Sequence, residues 1–151
     1  MIGDWLGEKM KLKRLRAGAV LPHRATKGSA GYDLYACIDG PVTVGPGETV
    51  KLPTGWAMEI PSGYVGYIFA RSSMGAKYGV VPANGVGVID SDYRGEVSVL
   101  LFNHSHTPHT IQPGDRVAQL VISPVLTPIL EEAAALTDTQ RGSGGFGSTS
   151  R

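Results

Sequence analysis

The chain has 151 residues and a formal net charge of +1, so one domain is expected and a dedicated nucleic-acid or membrane binder is not. It holds 21 glycines and 10 prolines, a composition of turns and short strands. A single cysteine excludes an intrachain disulfide framework and fits a reducing, cytoplasmic compartment, and no apolar run is long enough to span a membrane.

Met1–Glu8 lacks the basic start and apolar stretch of a secretory signal. Met10 could equally be the natural start, which makes residues 1–9 an N-terminal extension. Basic residues cluster at 9–16 (Lys9, Lys11, Lys13, Arg14 and Arg16), and the lysines alternate with Met10 and Leu12, the pattern of a strand with a solvated basic face. From residue 19 to 130, short apolar or alternating runs are cut by Pro/Gly turns. Candidate strands are 32–37, 41–44, 48–52, 55–60, 64–70, 79–82, 86–90, 95–102, 109–111 and 115–123. On the last but two, Val97, Val99 and Leu101 share one face. One short helix is expected at Ser72–Tyr78 with Ser72 as its cap, and a helical turn at Glu131–Leu136. The pattern predicts an all-β sandwich or jelly roll, here a distorted β-barrel over 10–130 followed by a flexible arm at 131–151.

Several segments carry chemistry. Asp33 sits inside the apolar strand of Ala30–Ala36, where a lone carboxylate needs an arginine or a buried N–H. Cys37, in the apolar run after it, reads as a buried small hydrophobe. Arg71, Ser72 and Ser73 follow an apolar strand and open the helix. They form either an anion site or an ordinary cap beside a surface arginine. Asn84-Gly-Val-Gly-Val-Ile-Asp-Ser-Asp-Tyr-Arg-Gly-Glu96 reads as a hairpin. Asp90 and Asp92 at its bend are turn formers, a general base, or a Mg²⁺-binding pair, and Tyr93 is a platform for a ring or sugar. His104, His106 and His109 lie in a turn-like stretch with no Cys or carboxylate at ligand spacing, so loop polarity explains them better than a metal site. In Pro113–Gln119 a turn leads into a strand. There Asp115 and Arg116 pair, and Gln119 satisfies backbone.

The chain closes on Arg141-Gly-Ser-Gly-Gly-Phe-Gly-Ser-Thr-Ser-Arg151. Glycines let backbone N–H groups approach an anion, hydroxyls donate to phosphate oxygens, and Arg141 offers a fork. It is no Walker A loop, because Ser148 stands where the lysine belongs. The tail is either a disordered Gly/Ser terminus or a strap ordered by a phosphorylated ligand, with Phe146 stacked on its ring.

Taken in order, Ala30–Ala36, Arg71–Ser73, Asn84–Glu96, Gly114–Gln119 and Arg141–Thr149 resemble the five motifs of the trimeric dUTP pyrophosphatases (dUTPases), from about Met10 to Ser150. The third and fifth are the most specific. The resemblance implies hydrolysis of dUTP to dUMP and pyrophosphate, which limits uracil in DNA and supplies dUMP for thymidylate synthesis. It implies that Asp90 orients and deprotonates the water attacking the α-phosphorus. Arg71, Ser72, Ser73, Gln119, Arg141, Gly147, Ser148 and Thr149 would hold the phosphates, with Mg²⁺ carried mainly by the phosphates themselves. It puts uracil on the backbone of residues 84–90, including Val88 and Ile89, with Asn84 helping. Tyr93 and Ser98 would line the sugar pocket and Phe146 would close over the base. Asp33 and Asp115 are implied as supporting groups, one of them holding an arginine. The resemblance also implies a homotrimer with shared active sites.

Three departures stand out. Ala70 replaces a common proline, Gly75 a usual alanine, and Ser98 longer side chains near the sugar. A dCTP deaminase would carry a catalytic glutamate in a different hairpin and no Phe-Gly-Ser-Thr tail. A non-enzymatic nucleotide sensor on the same trimer would not need all five motifs intact, and a structural jelly roll would make them coincidental.

Overall fold

The computed structural model describes residues 9–147 of the chain. Its strands are β1 (Lys11–Arg14), β2 (Tyr32–Tyr35), β3 (Val42–Val44), β4 (Thr49–Pro53), β5 (Trp56–Glu59), β6 (Tyr64–Phe69), β7 (Val80–Pro82), β8 (Gly87–Ile89), β9 (Ser98–Asn103), β10 (His109–Ile111) and β11 (Arg116–Pro124). The one helix among the described residues, α1, spans Ser72–Tyr78. Each expected strand has its counterpart, because the Pro/Gly turns that cut the sequence also cut the fold. Gly79 ends α1 in the left-handed conformation (φ 65°), and its N–H closes on Gly75 O and Met74 O. Ser72 is the first helical residue rather than the cap; Arg71 occupies the cap position without a side-chain bond.

All strand pairs are antiparallel. A four-stranded sheet runs β2-β11-β6-β8 and a three-stranded one β4-β9-β7, flanked by the pairs β1-β5 and β3-β10. Alternating residues of these sheets meet in one core: Leu34, Val44, Leu52, Val80, Val99, Leu101, Ile111, Val117 and Leu120 are all buried. Val97, Val99 and Leu101 do share the inner face. Cys37 is half-buried against this core. Lys11 and Lys13 stay in solvent on β1, with Lys11 3.2 Å from Glu59.

Two local expectations give way to tertiary constraints. The limbs of Asn84–Glu96 do not pair with each other; β8 joins β6, while β9 joins β4 and β7. Ile89 and Val97 each turn inward, so the limbs splay over the core and residues 90–97 bridge two sheets. Glu131–Leu136 forms no helix. Six residues are too few to repay nucleation without packing, and nothing in the described chain packs on them. The stretch after β11 keeps Leu126, Ile129, Leu130 and, in the arm, Leu136 at least 90% exposed. No described helix is long and apolar enough to cross a membrane.

The turn after β9 is built around Asn103, which is fully buried. Its amide donates to Val44 O and Thr107 O (3.0 and 2.8 Å) and accepts from Ser105 N and Oγ (2.9 and 2.7 Å). This accounts for the turn-like shape of the histidine stretch. His109 stacks on Tyr78 with ring centroids 4.5 Å apart.

Candidate active site

Strand register assembles the first cleft. Gln119 on β11 lies opposite Asp33 on β2 and opposite Phe69 on β6, so three distant segments form one cross-strand row. Arg71 follows two residues after Phe69. Its Nε donates to Asp33 Oδ1 at 2.8 Å, and Arg116 donates from Nη1 to Asp33 Oδ2 at 3.4 Å. Arg71 Nη1 also reaches Ser73 Oγ at 3.4 Å. Gln119 Nε2 donates to Ala70 O at 2.8 Å. Gly31 makes room for that glutamine, since a Cβ there would lie 2.3 Å from Gln119 Oε1. Asp33, Arg71, Ser72, Arg116 and Gln119 line a cleft of about 340 Å³ closed by Ala25 and Ser29–Gly31.

One carboxylate between two guanidiniums leaves a surplus positive charge in a concave site, which draws anions. One of Asp33 and Asp115 is expected to hold an arginine, and Asp33 is the one that bonds to Arg71. Asp115 instead closes its own turn, with Oδ2 accepting from Gln112 N at 2.8 Å, and it does not pair with Arg116. Asp33→Asn is expected to keep the fold and lower kcat/KM for the substrate about tenfold, because Arg71 loses a charge-assisted anchor. Steady-state kinetics check it, and a wild-type value would show that Arg71 needs no such anchor.

The second cleft, of about 240 Å³, holds Asn84, Val88, Ile89, Asp90, Tyr93 and Ser98, together with Lys51, Ile68, Gly87, Glu96, Val97 and Leu100. Gly87 permits close packing of β8 on β6, since a Cβ there would lie 2.9 Å from Ile68 Cβ. Asp90 is exposed just beyond β8, and Tyr93 N donates to Asp90 O at 3.1 Å to close the bend. No described residue hydrogen bonds to the Asp90 carboxylate. Tyr93 Oη donates to Glu96 O at 2.9 Å, with its ring folded over Gly95. The Glu96 carboxylate is gripped by Arg16, from Nε to Oε2 at 2.6 Å and from Nη2 to Oε1 at 2.9 Å. That hydrogen-bonded pairing holds the Glu96 carboxyl below its ordinary range.

Of the tail, Arg141 is exposed and Phe146 wholly so, with Phe146 in a left-handed conformation (φ 50°). Gly147 follows at φ 90°. Ser148 and Thr149 lie outside the described residues. The two clefts share no lining residue, and the described tail lines neither. Among the described residues there is no group of three or more His, Cys, Asp or Glu placed to hold a metal ion.

Two arginines, Arg116 in the first cleft and Arg16 bonded to Glu96 of the second, escaped the sequence reading. Arg116 was legible only as a neighbour of Asp115, and Arg16 only as part of the basic N-terminal run. Each finds its carboxylate more than 75 positions away, where no local pattern can announce it.

Residues 17–150 match the dUTPase family model. The chain belongs to the dUTPase family. It is 52% identical over 130 residues to the deoxyuridine 5'-triphosphate nucleotidohydrolase of Desulfitobacterium hafniense (strain DSM 10664 / DCB-2), covering 85% of this chain and 86% of that one. The Syntrophotalea carbinolica enzyme of the same description is 46% identical over 140 residues, with 93% and 95% covered. Among solved structures, a mutant of the phage 80alpha dUTPase superposes with a TM-score of 0.86 at 29% identity, over 95% of this chain and 99% of that one. The Staphylococcus bacteriophage 80alpha dUTPase solved with dUpNHpp gives 0.85 at 29% identity, over 93% and 98%. The mostly β architecture with one short helix is the dUTPase fold, and the chain is a dUTP diphosphatase, hydrolysing dUTP.

Proposed function

We propose that the two clefts are halves of one composite site, brought together between subunits of a homotrimer and closed by the tail of a third. The observation that carries this is their separation: the arginine cleft and the Asp90 cleft have no residue in common. The arm supports it too. Its Leu136, and Leu126, Ile129 and Leu130 just before it, find no cover among the described residues, as expected of a segment that packs on a neighbour.

In this site Asp90 holds a water in line with the leaving pyrophosphate and takes its proton as the oxygen attacks the α-phosphorus. Arg71, Ser72, Ser73 and Gln119 meet the triphosphate in the arginine cleft, where Asp33 fixes Arg71. Arg141, Gly147, Ser148 and Thr149 close over it from the tail. In-line displacement on a polyanion asks chiefly for charge neutralisation and positioning, and these donors provide both.

Mg²⁺ fits this arrangement as a companion of the substrate. Described protein ligands for it are too few to form a cage, and Mg²⁺ commonly takes phosphate oxygens and waters. When bound, it supplies further charge neutralisation at the phosphates. A phage phi11 dUTPase mutant structure is described as coordinating a structural Mg(II) ion.

Uracil is read by the backbone of residues 84–90, with Asn84 helping and Val88 and Ile89 as its walls. Cytosine leaves site donors and acceptors unpaired, a penalty that reaches about 10⁴-fold. Thymine carries a methyl that the close packing of β8 excludes. Tyr93 and Ser98 border the sugar, and Phe146 stacks on the base and excludes water. The test is a nucleotide panel of dUTP, dCTP, dTTP and UTP with Mg²⁺, scored for pyrophosphate and ammonia. Pyrophosphate from dUTP alone is the expected result. Ammonia from dCTP, or comparable turnover of UTP, would contradict the assignment of these residues to uracil and deoxyribose.

A further inference from the structure

The limb that leaves the Asp90 bend is anchored to the barrel at Glu96 and Val97, and the Glu96 side chain has no part in the hydrolysis proposed above. The Glu96 carboxylate sits between Arg16 and the turn before β5. There Arg16 grips both carboxylate oxygens, and Gly55 N donates to Oε2 at 3.1 Å. Gly55 needs its left-handed conformation (φ 78°) at this spot, and a Cβ there would lie 2.5 Å from Ala19 Cβ. The next residue is stitched to the same turn: Val97 N donates to Trp56 O at 2.8 Å, and Thr54 Oγ1 to Val97 O at 2.6 Å. The backbone of residue 96 is therefore held through its own side chain and through Val97.

That backbone is what orients Tyr93. The Tyr93 hydroxyl donates to Glu96 O at 2.9 Å, and its ring lies so close over Gly95 that a Cβ there would sit 2.5 Å from Oη. The ring thus has a floor at Gly95 and a tether at Glu96. Its other chain connection, Tyr93 N to Asp90 O, runs to the bend that carries the base.

We propose that Arg16 and Glu96 form a latch that sets the plane of the Tyr93 ring, and through it the discrimination between deoxyribose and ribose. This rests on the reading of Tyr93 as the wall beside the sugar. A ring held in one plane excludes a 2′-hydroxyl; a ring free to tilt admits it. Arg16 and Glu96 are positioning residues, since neither is asked to touch the substrate. Lys51 lines the same cleft and adds favourable charge near Glu96, and Asp39 lies on the Arg16 side.

The test compares kcat/KM for dUTP and for UTP in Arg16→Ala, Glu96→Gln, Tyr93→Phe and Tyr93→Ala. Half of the Arg16 side chain is in solvent, so its removal opens no core. A misplacement of under an ångström at a positioning group is worth about tenfold or more. Arg16→Ala is expected to lower the dUTP-to-UTP ratio about tenfold, with UTP turnover rising relative to dUTP, and Arg16→Lys to recover part of it. Tyr93→Phe, which breaks the tether, is expected to do the same. The double variant with Arg16→Ala should then fall no further, because both changes cut one chain of contacts. Parallel losses for both nucleotides in Arg16→Ala, or effects that multiply with those of Tyr93→Phe, would overturn the latch. A ratio that collapses in Tyr93→Ala yet stays at wild type in both Arg16→Ala and Glu96→Gln would overturn it alone. A ratio unchanged in Tyr93→Ala would remove the sugar contact itself, and the latch with it.

Discussion

Asp90→Asn is expected to keep nucleotide binding and lose turnover by about 10³-fold, within the range a positioned general base contributes. The amide has the shape of the carboxylate, so the bend survives: the bond that closes it runs from Tyr93 N to the Asp90 carbonyl, which the substitution leaves in place. The carboxylate has no hydrogen-bond partner among the described residues, which leaves its oxygens available to a water. It stands in the same cleft as Asn84, Val88 and Tyr93, the residues proposed to hold the nucleoside. Calorimetry with a non-hydrolysable dUTP analogue and a pyrophosphate-release assay separate the two effects. Turnover within tenfold of wild type would move the base elsewhere, and lost binding would make Asp90 a ligand for the nucleotide instead.

Truncation after Gln140 is expected to reduce kcat/KM by at least about 10²-fold while leaving the melting temperature unchanged. The activity loss follows from the proposed roles of the tail: removal takes away Arg141, one charged hydrogen-bonding group worth about ten- to a hundredfold, together with the proposed aromatic lid and hydroxyl donors. The unchanged stability follows from burial. Residues 141–147 are exposed apart from half-covered Gly144, and their described hydrogen bonds are local: Gly142 N to Thr139 O and Gly144 N to Arg141 O, both 3.1 Å. A segment that buries so little cannot hold up the body. Full activity in the truncated chain would reject tail closure, and a large drop in melting temperature would make the tail a structural element.

The fold was legible because its signals are local. Gly45-Pro-Gly47, Pro61-Ser-Gly63 and Pro113-Gly-Asp115 mark turns whose geometry depends on a few residues, and β9 shows its buried face by alternation. α1 ended where it was expected because Gly79 takes a left-handed φ that stops a helix. What stayed hidden is register. That Asp33, Gln119 and Phe69 stand in one row depends on pairings between residues 50 and 86 positions apart, and no spacing rule carries that. The same limit hid the ion pairs of Arg116 and Arg16 and turned the expected hairpin into a bridge between sheets. The helical turn at 131–136 failed differently: its composition suits a helix, but the tertiary support that sustains short helices is absent among the described residues. Candidate residues were legible as types in motifs; their division between two clefts needed the structure.

Subunit mixing tests that division most directly. Asp90→Asn and the chain truncated after Gln140 are each to be inactive alone; they are unfolded together, refolded as a 1:1 mixture and assayed for dUTP hydrolysis. If base and tail reach a site from different protomers, about a quarter of the sites regain both intact parts, so the mixture should recover about a quarter of wild-type activity. A mixture no more active than its two components would contradict a site assembled across subunits.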